Sequence, residues 1–388
     1  MSMRVAYVCA DPGVPVFGAK GSSIHVQSVV RSLLRRGAEV ELLAARAGGA
    51  PPPGLERVAL HPLPRPPKSD PAERERRAVA ANGELERALA TLDPVDLVYE
   101  RCSLWSYAAL RHGRRAGART VLEVNAPLVE EQARHRGLAD RAGAERIARL
   151  QSQLADVIVA VSAGVAAHLR RRHPGAAGRV RVIGNGVDPE RFPPARAVER
   201  RPRPFTVGFV GTLKPWHGVE TLADALARLR AHVADARLLV VGDGPARAAL
   251  EERLGALGIA DAAQLTGAVP PDSVPALLAR MDVAVAPYPP LPDFYFSPLK
   301  VLEAMAAGVP VVASRVGDLN RLVADGRSGR LVAPGDPDAL ATALRALAAS
   351  PEERTRLGAA ARRAVLAAHT WDAVVERILA ASALAEAA

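Results

Sequence analysis

At 388 residues, close to half of them apolar, the chain is long for one domain and sufficient for two, each with its own core. The net charge of +10 is carried almost wholly by arginine, with aromatics too few (4%) to interleave with it as nucleic-acid platforms require. The basic excess therefore reads as a solvated surface, with a membrane-facing patch left open. Cys9 and Cys102 are the only two cysteines, too few for a disulfide framework or a zinc site. No apolar run approaches the roughly 18 residues of a membrane span. The expectation is a soluble cytoplasmic protein with no nucleic-acid partner, peripheral at most to the inner face of a membrane.

In chain order, VAYVCA (5–10) opens as a strand and FGAKGSS (17–23) leads into a helix over 22–36, capped by Ser22 or Ser23. VELLA (40–44), DLVYE (96–100), TVLEVN (120–125), VIVAVS (157–162) and RVRVIGN (179–185) are the next strands. Helical patterns over 73–91, 104–116 and 139–155 lie among them. Apolar runs without alternation suit parallel strands covered on both faces. Residues 187–204, VDPERFPPARAVERRPRP, read as a linker.

Six further strands follow: FTVGFVG (205–211), RLLVVGD (237–243), QLTGAV (264–269), VAVAPY (283–288), VPVVAS (309–314) and GRLVAP (329–334). The chain is helical after Asp336. The expected organisation is thus an α/β fold with a doubly wound, Rossmann-like domain over 1–186, the linker, a second over 205–370, and a helix over 371–388 that crosses back. Ligands in such sheets bind at the carboxyl ends of the strands, which would place them in a cleft between two facing domains.

Only four of the 51 basic residues are lysine, and Lys20, Lys214 and Lys300 each fall where strand gives way to helix. A compact ammonium suits a phosphate; Lys68, in a Pro-rich loop, is incidental. In FYFSPLKVLEAMAAG (294–308), Ser297 is expected at the N-cap, Pro298 at N1 and Lys300 at N3, where the helix dipole disfavours a cation unless an anion shares the turn. Glu303, among apolar neighbours, could accept two hydrogen bonds from the vicinal hydroxyls of a ribose. In GTLKPWHG (211–218), Lys214 and His217 are candidate phosphate ligands. Gly18 and Gly21 permit close backbone approach. VVGDGP (240–245) sets Gly242, Asp243 and Gly244 at a strand end. In the first half, Asn125 ends a strand, with Glu130, Glu131 and His135 expected in the loop beyond it; Glu123 lies within that strand, and Glu100 and Arg101 end another, as a structural ion pair. No pair of acids at D-x-D spacing implies a metal.

IGNGVDPERF (183–192), VGTLKPWHGVETL (210–222), VVGDGP and SPLKVLEAMAAGVPVVAS resemble the retaining GT-B glycosyltransferases of family 4, over nearly the whole chain. The resemblance implies transfer of a hexose from a UDP- or GDP-linked sugar to an acceptor hydroxyl, with retention, without a metal or other cofactor. It implies that Glu303 holds the ribose, that Ser297, Pro298, Leu299 and Lys300 lie beside the diphosphate and sugar, and that residues 18–21 face the diphosphate. Three departures stand out. Tyr295 replaces a glutamate that contacts the transferred sugar, with Asp293 or the backbone near Phe296 as substitutes. Thr212 and His217 replace an arginine and a lysine, Lys214 taking part of their role. Asn125 replaces a histidine. Arg101, Glu130, Glu131 and His135 are left to the acceptor side. A nucleotide-sugar 2-epimerase of the same fold and a non-catalytic nucleotide-sugar or glycan-binding protein remain as alternatives.

Overall fold

The computed structural model describes residues 2–65, 70–194, 204–291, 294–295 and 297–384. Lys68, Asp293, Phe296 and half of the expected linker, 195–203, lie outside them. The chain divides into two units: Met1–Asn185 with Tyr295–Ser297 and the segment from Trp371, and Gly186–Phe294 with Pro298–Thr370.

In the first unit, strands β1 (Arg4–Cys9), β2 (Glu39–Ala44), β3 (Ala59–Pro62), β4 (Leu97–Arg101), β5 (Arg119–Val124), β6 (Val157–Ala160) and β7 (Val180–Val182) form a parallel sheet in the order β3-β2-β1-β4-β5-β6-β7. Helices α1 (Gly21–Arg35), α2 (Pro71–Ala90), α3 (Ala108–Ala116), α4 (Leu128–His135), α5 (Arg141–Leu154) and α6 (Ala163–Arg172) accompany it. The run VAYVC serves both faces at once: Val5, Tyr7 and Cys9 pack with Val26, Val30 and Leu33 of α1, while Ala6 and Val8 pack with Leu85, Leu89 and Ala108. Period-two alternation thus sends every second residue to a different apolar layer.

In the second unit, β8 (Thr206–Val210), β9 (Arg237–Val241), β10 (Ala263–Leu265), β11 (Val283–Ala286), β12 (Val311–Ser314) and β13 (Arg330–Val332) form a parallel sheet in the order β10-β9-β8-β11-β12-β13. Its helices are α7 (Val219–Arg230), α8 (Arg247–Ala256), α9 (Val274–Leu278), α10 (Leu299–Ala306), α11 (Leu319–Leu322), α12 (Pro337–Ala349) and α13 (Pro351–Ala368). Both sheets reverse strand order beside their first strand, β1 or β8, the point at which doubly wound sheets bind ligands. The last helix, α14 (Trp371–Leu384), packs with the first unit: Asp372 Oδ1 accepts from Ser32 Oγ (2.6 Å) and Arg35 (2.8 Å), and the Trp371 ring meets His25 edge-on at 4.8 Å.

Several expected boundaries change. β3 was not expected, because ALHP carries no apolar run; it is an edge strand with Pro62 at its end. The segment holding Glu130, Glu131 and His135 is not a loop but α4, an eight-residue helix with both glutamates in its first turn. α1 starts at Gly21 with Lys20 at the N-cap, and no side chain caps it. Likewise α10 starts at Leu299, with Pro298 rather than Ser297 at the N-cap, and Lys300 is its second residue. Pro298 has ψ 63°, outside the helical range, and its carbonyl accepts from Val301 and Leu302.

Candidate functional site

The carboxyl ends of β8, β9 and β11 and the start of α10 converge in the second unit. The loop from Gly211 to Gly218 follows β8 and includes a 3₁₀ turn, Pro215–His217. Leu213 N donates to Asp243 O (2.9 Å) and Ala246 N to Leu213 O (3.0 Å), fastening this loop to the one after β9. That fastening requires Gly242 and Gly244, whose φ angles are 138° and 156°. A Cβ on Gly242 would collide with the Gly211 carbonyl, and one on Gly244 with the Leu213 backbone.

Lys300 projects into this corner. Its Nζ lies 4.2 Å from the Phe209 ring centroid and 5.5 Å from that of Tyr288, a cation against two aromatic faces. It lies 3.4 Å from His217 Nδ1. Burial pushes its pKa down from 10.5 to about 7, opposed by Glu303. Glu303, one turn along, is half-buried, and its carboxylate takes part in no hydrogen bond or ion pair among the described residues. Burial pushes its carboxyl up to about 7, opposed by Arg191 and Lys300. An ammonium and a carboxylate, both short of partners, therefore stand together beside the switch point of the sheet.

His217, expected as a phosphate ligand, has its ring held by the loop itself. Its Nδ1 lies 2.6 Å from the Thr212 carbonyl, an acceptor, so Nδ1 carries the hydrogen and Nε2 the lone pair. Burial, then the Lys300 and Lys214 charges, push its pKa down to about 3. Neutral His217 orients the loop rather than adding charge. Lys214 is half-buried with Nζ 5.7 Å from the Trp216 ring centroid. Asp243 Oδ1 accepts from Gly244 N (2.8 Å), a local turn bond. Thr212 is exposed, whereas Pro298 is buried and Leu299 half-buried.

The remaining candidates belong to the first unit. The Gly18 carbonyl accepts from Gln27 Nε2 (2.9 Å), while Lys20 and Gly21 are exposed. Tyr295 does not join Lys300: its hydroxyl donates to Glu131 Oε1 (2.6 Å), and its carbonyl accepts from Ser162 Oγ (2.7 Å). Ser297 groups with it. Asn125 Nδ2 donates to Glu123 Oε1 (3.3 Å).

Glu123 is buried, with His25 Nε2 at 2.5 Å and an acceptor bond from Tyr99 Oη (2.7 Å). Burial raises its pKa, but His25, Arg101 and Tyr99 outweigh this and bring it down to about 2. Sequence reading missed this network because its members are up to 98 positions apart. The expected Glu100–Arg101 ion pair does not form among the described residues: consecutive strand residues point to opposite faces. Glu100 is instead fully buried, and burial pushes it up to about 7, opposed by the Ser106 hydroxyl and the Leu110 backbone N–H. Glu130 lies 3.5 Å from His168 Nε2, and His135 is exposed at the end of α4.

This chain is matched by two family models, Glycosyltransferase Family 4 over residues 19–191 and Glycosyl transferases group 1 over 204–350. The chain belongs to this glycosyltransferase family, and its fold is of the GT-B type. It is 35% identical over 205 residues to an MMP alpha-(1->4)-mannosyltransferase of Mycolicibacterium hassiacum, covering 52% of this chain and 47% of that protein. It thus spans about half the length of that relative. A D-inositol 3-phosphate glycosyltransferase 2 of Catenulispora acidiphila is 29% identical over 369 residues, 88% of this chain and 84% of that one. Among solved structures, Anabaena Alr3699/HepE in complex with UDP and glucose shares the fold at TM-score 0.72 and 21% identity, covering 97% of this chain and 98% of that one.

Proposed function

We propose that the chain is a retaining, metal-independent hexosyltransferase that moves a sugar from a UDP- or GDP-linked donor to an acceptor hydroxyl. The observation that carries this reading is the pair Lys300 and Glu303 at the start of α10, half-buried and short of protein partners, in a chain of this family. A diphosphate supplies the anion that Lys300 lacks, together with the free N–H groups of the helix start. Ribose hydroxyls supply the donors that Glu303 lacks. Residues 242–244 offer close-packed backbone beside them.

In the reaction, Lys300 and Lys214 stabilise the charge that develops on the departing diphosphate. The acceptor oxygen forms its bond to the sugar on the face from which the phosphate oxygen leaves. That phosphate oxygen takes the acceptor's proton, so no separate strong base is required. Asn125 is assigned to the acceptor side, its amide oriented by Glu123. The soluble, cytoplasmic character expected from sequence remains a proposal; no helix among the described residues is long and apolar enough to cross a membrane.

The test is donor turnover with EDTA present, using UDP-glucose, GDP-mannose and their relatives against a panel of hydroxyl acceptors. Product of retained anomeric configuration from one donor supports the reading. A new nucleotide sugar formed from donor alone favours a 2-epimerase, and nucleotide-sugar binding without turnover favours a binding protein.

A further inference from the structure

An apolar-walled cavity of the first unit lies apart from the Lys300 and Glu303 corner of the second. It has a volume of about 460 Å³, within the range of small-molecule sites, and every residue lining it belongs to that unit. It opens beside Ala10 and Asp11, directly after β1, and beside Ser103, after β4. These are the carboxyl ends of the strands at the first sheet's own switch point.

The walls are built rather than fortuitous. Asn82 on α2 donates to Trp105 O (2.8 Å) and accepts from Tyr107 N (2.8 Å) and Ala108 N (3.0 Å), tying α2 to the segment after β4. Buried Glu75 accepts from Ala139 N (2.9 Å) and Asp140 N (2.8 Å), tying α2 to the start of α5. Between these ties, Leu63, Ala78, Ala81, Leu85, Leu104 and Leu128 face the cavity. Such a surface offers nothing to a hydroxyl, and burying one there is costly.

The lining also carries polar groups. Arg136 is exposed and Arg74 half-buried, and neither guanidinium has a hydrogen-bond or ion-pair partner among the described residues. The carboxylates nearby are each engaged: Glu75 as above, Glu131 by the Tyr295 hydroxyl, and Asp11 through Oδ1 by Gly13 N (2.7 Å). Donors are thus free where acceptors are committed, which suits the oxygens of a polyhydroxy head group.

We propose that this cavity is the acceptor site and that it takes an amphiphilic acceptor, a hydroxylated head joined to an apolar chain or ring system. This rests on the transferase reading, since it assigns that reading's acceptor. The cavity holds the apolar part, while Arg74 and Arg136 hold the head at the strand ends.

The test is calorimetric titration of octyl β-glucoside, below its micellar concentration, and of methyl β-glucoside, which has the same head without the tail. Wild type is expected to bind the octyl compound at least about tenfold more tightly. Ala81→Trp, which fills the cavity, is expected to erase that preference, as is Ala78→Phe. UDP and GDP titrated into the same samples report the second unit, and a first-unit unfolding transition in scanning calorimetry that matches wild type certifies a folded variant. Equal binding of the two glucosides by wild type, or an octyl preference that survives both folded variants, overturns the proposal. Absence of nucleotide binding in wild type instead overturns the transferase reading, and with it the acceptor role, whatever the glucosides do.

Discussion

Replacing Lys300 with methionine should make the protein more stable and less active. The side chain keeps its length and its contact with Phe209 and Tyr288 but loses its charge. Holding the Lys300 pKa at about 7 rather than 10.5 means that burial disfavours the ammonium in the folded chain by an upper bound of about 4 kcal/mol at pH 7. Loss of the cation–π contacts returns about 0.5–2 kcal/mol. Partial exposure and water penetration reduce the first term further, leaving a net gain of about 1–3 kcal/mol.

The pH dependence gives this a sign that can be checked. The unfolded chain holds the Lys300 proton up to about pH 10.5, the folded chain only up to about 7, so wild-type stability rises with pH between those values. The advantage of Lys300→Met is therefore full below pH 7 and fades as pH approaches 10.5. At about 2–4 °C per kcal/mol for a unit of this size, the Tm of the second unit should rise by several degrees at pH 7 and hardly at all near pH 10. In turnover, kcat should fall about 10²–10³-fold, as when a preorganised donor is removed. Scanning calorimetry at the two pH values, with donor turnover alongside, makes the comparison. A Tm that falls at pH 7, or a kcat within about threefold of wild type at saturating donor, refutes the reasoning.

Three further outcomes are expected. Glu303→Gln should weaken nucleotide binding by about tenfold, since hydrogen bonds to a charged acceptor are worth about 1.5–3 kcal/mol, and calorimetry measures it. In its free state the same variant should gain stability above pH 7, because burial raises the folded pKa of Glu303 and the wild-type chain loses stability as pH rises from 4.5 to about 7. Gly242→Ala should lower the Tm and weaken nucleotide binding together, because its Cβ meets the Gly211 carbonyl. Glu123→Leu should destabilise the first unit by about 3–5 kcal/mol by leaving buried His25 unpaired, while nucleotide affinity of the second unit is unchanged.

Much of this was legible in the sequence because parallel sheets covered on both faces leave apolar runs such as VAYVC and RLLVV that need no partner to be recognised. Lys300 and Glu303 stood out for a related reason: each is an ionisable residue where local rules favour an apolar or acidic one. What could not be read depends on neighbours distant in the chain. β3 is a strand because β2 lies beside it, and ALHP alone does not announce one. LVEEQARH follows Asn125-Ala126-Pro127, which reads as a turn, so the sequence around it does not announce α4. The role of Tyr295 turns on Glu131, 164 positions away, and that of His217 on a ring nitrogen facing a backbone carbonyl. Neither distance nor tautomer is written in a residue's identity.

Calorimetric titration of UDP and GDP into wild type and Lys300→Met, with EDTA present, tests most directly the claim that a nucleoside diphosphate binds at the start of α10. The account predicts that wild type binds one of the two, and that Lys300→Met, though folded and more stable at pH 7, binds it at least about tenfold more weakly. Equal affinity in the two proteins, or no binding of either nucleotide to wild type, would contradict it.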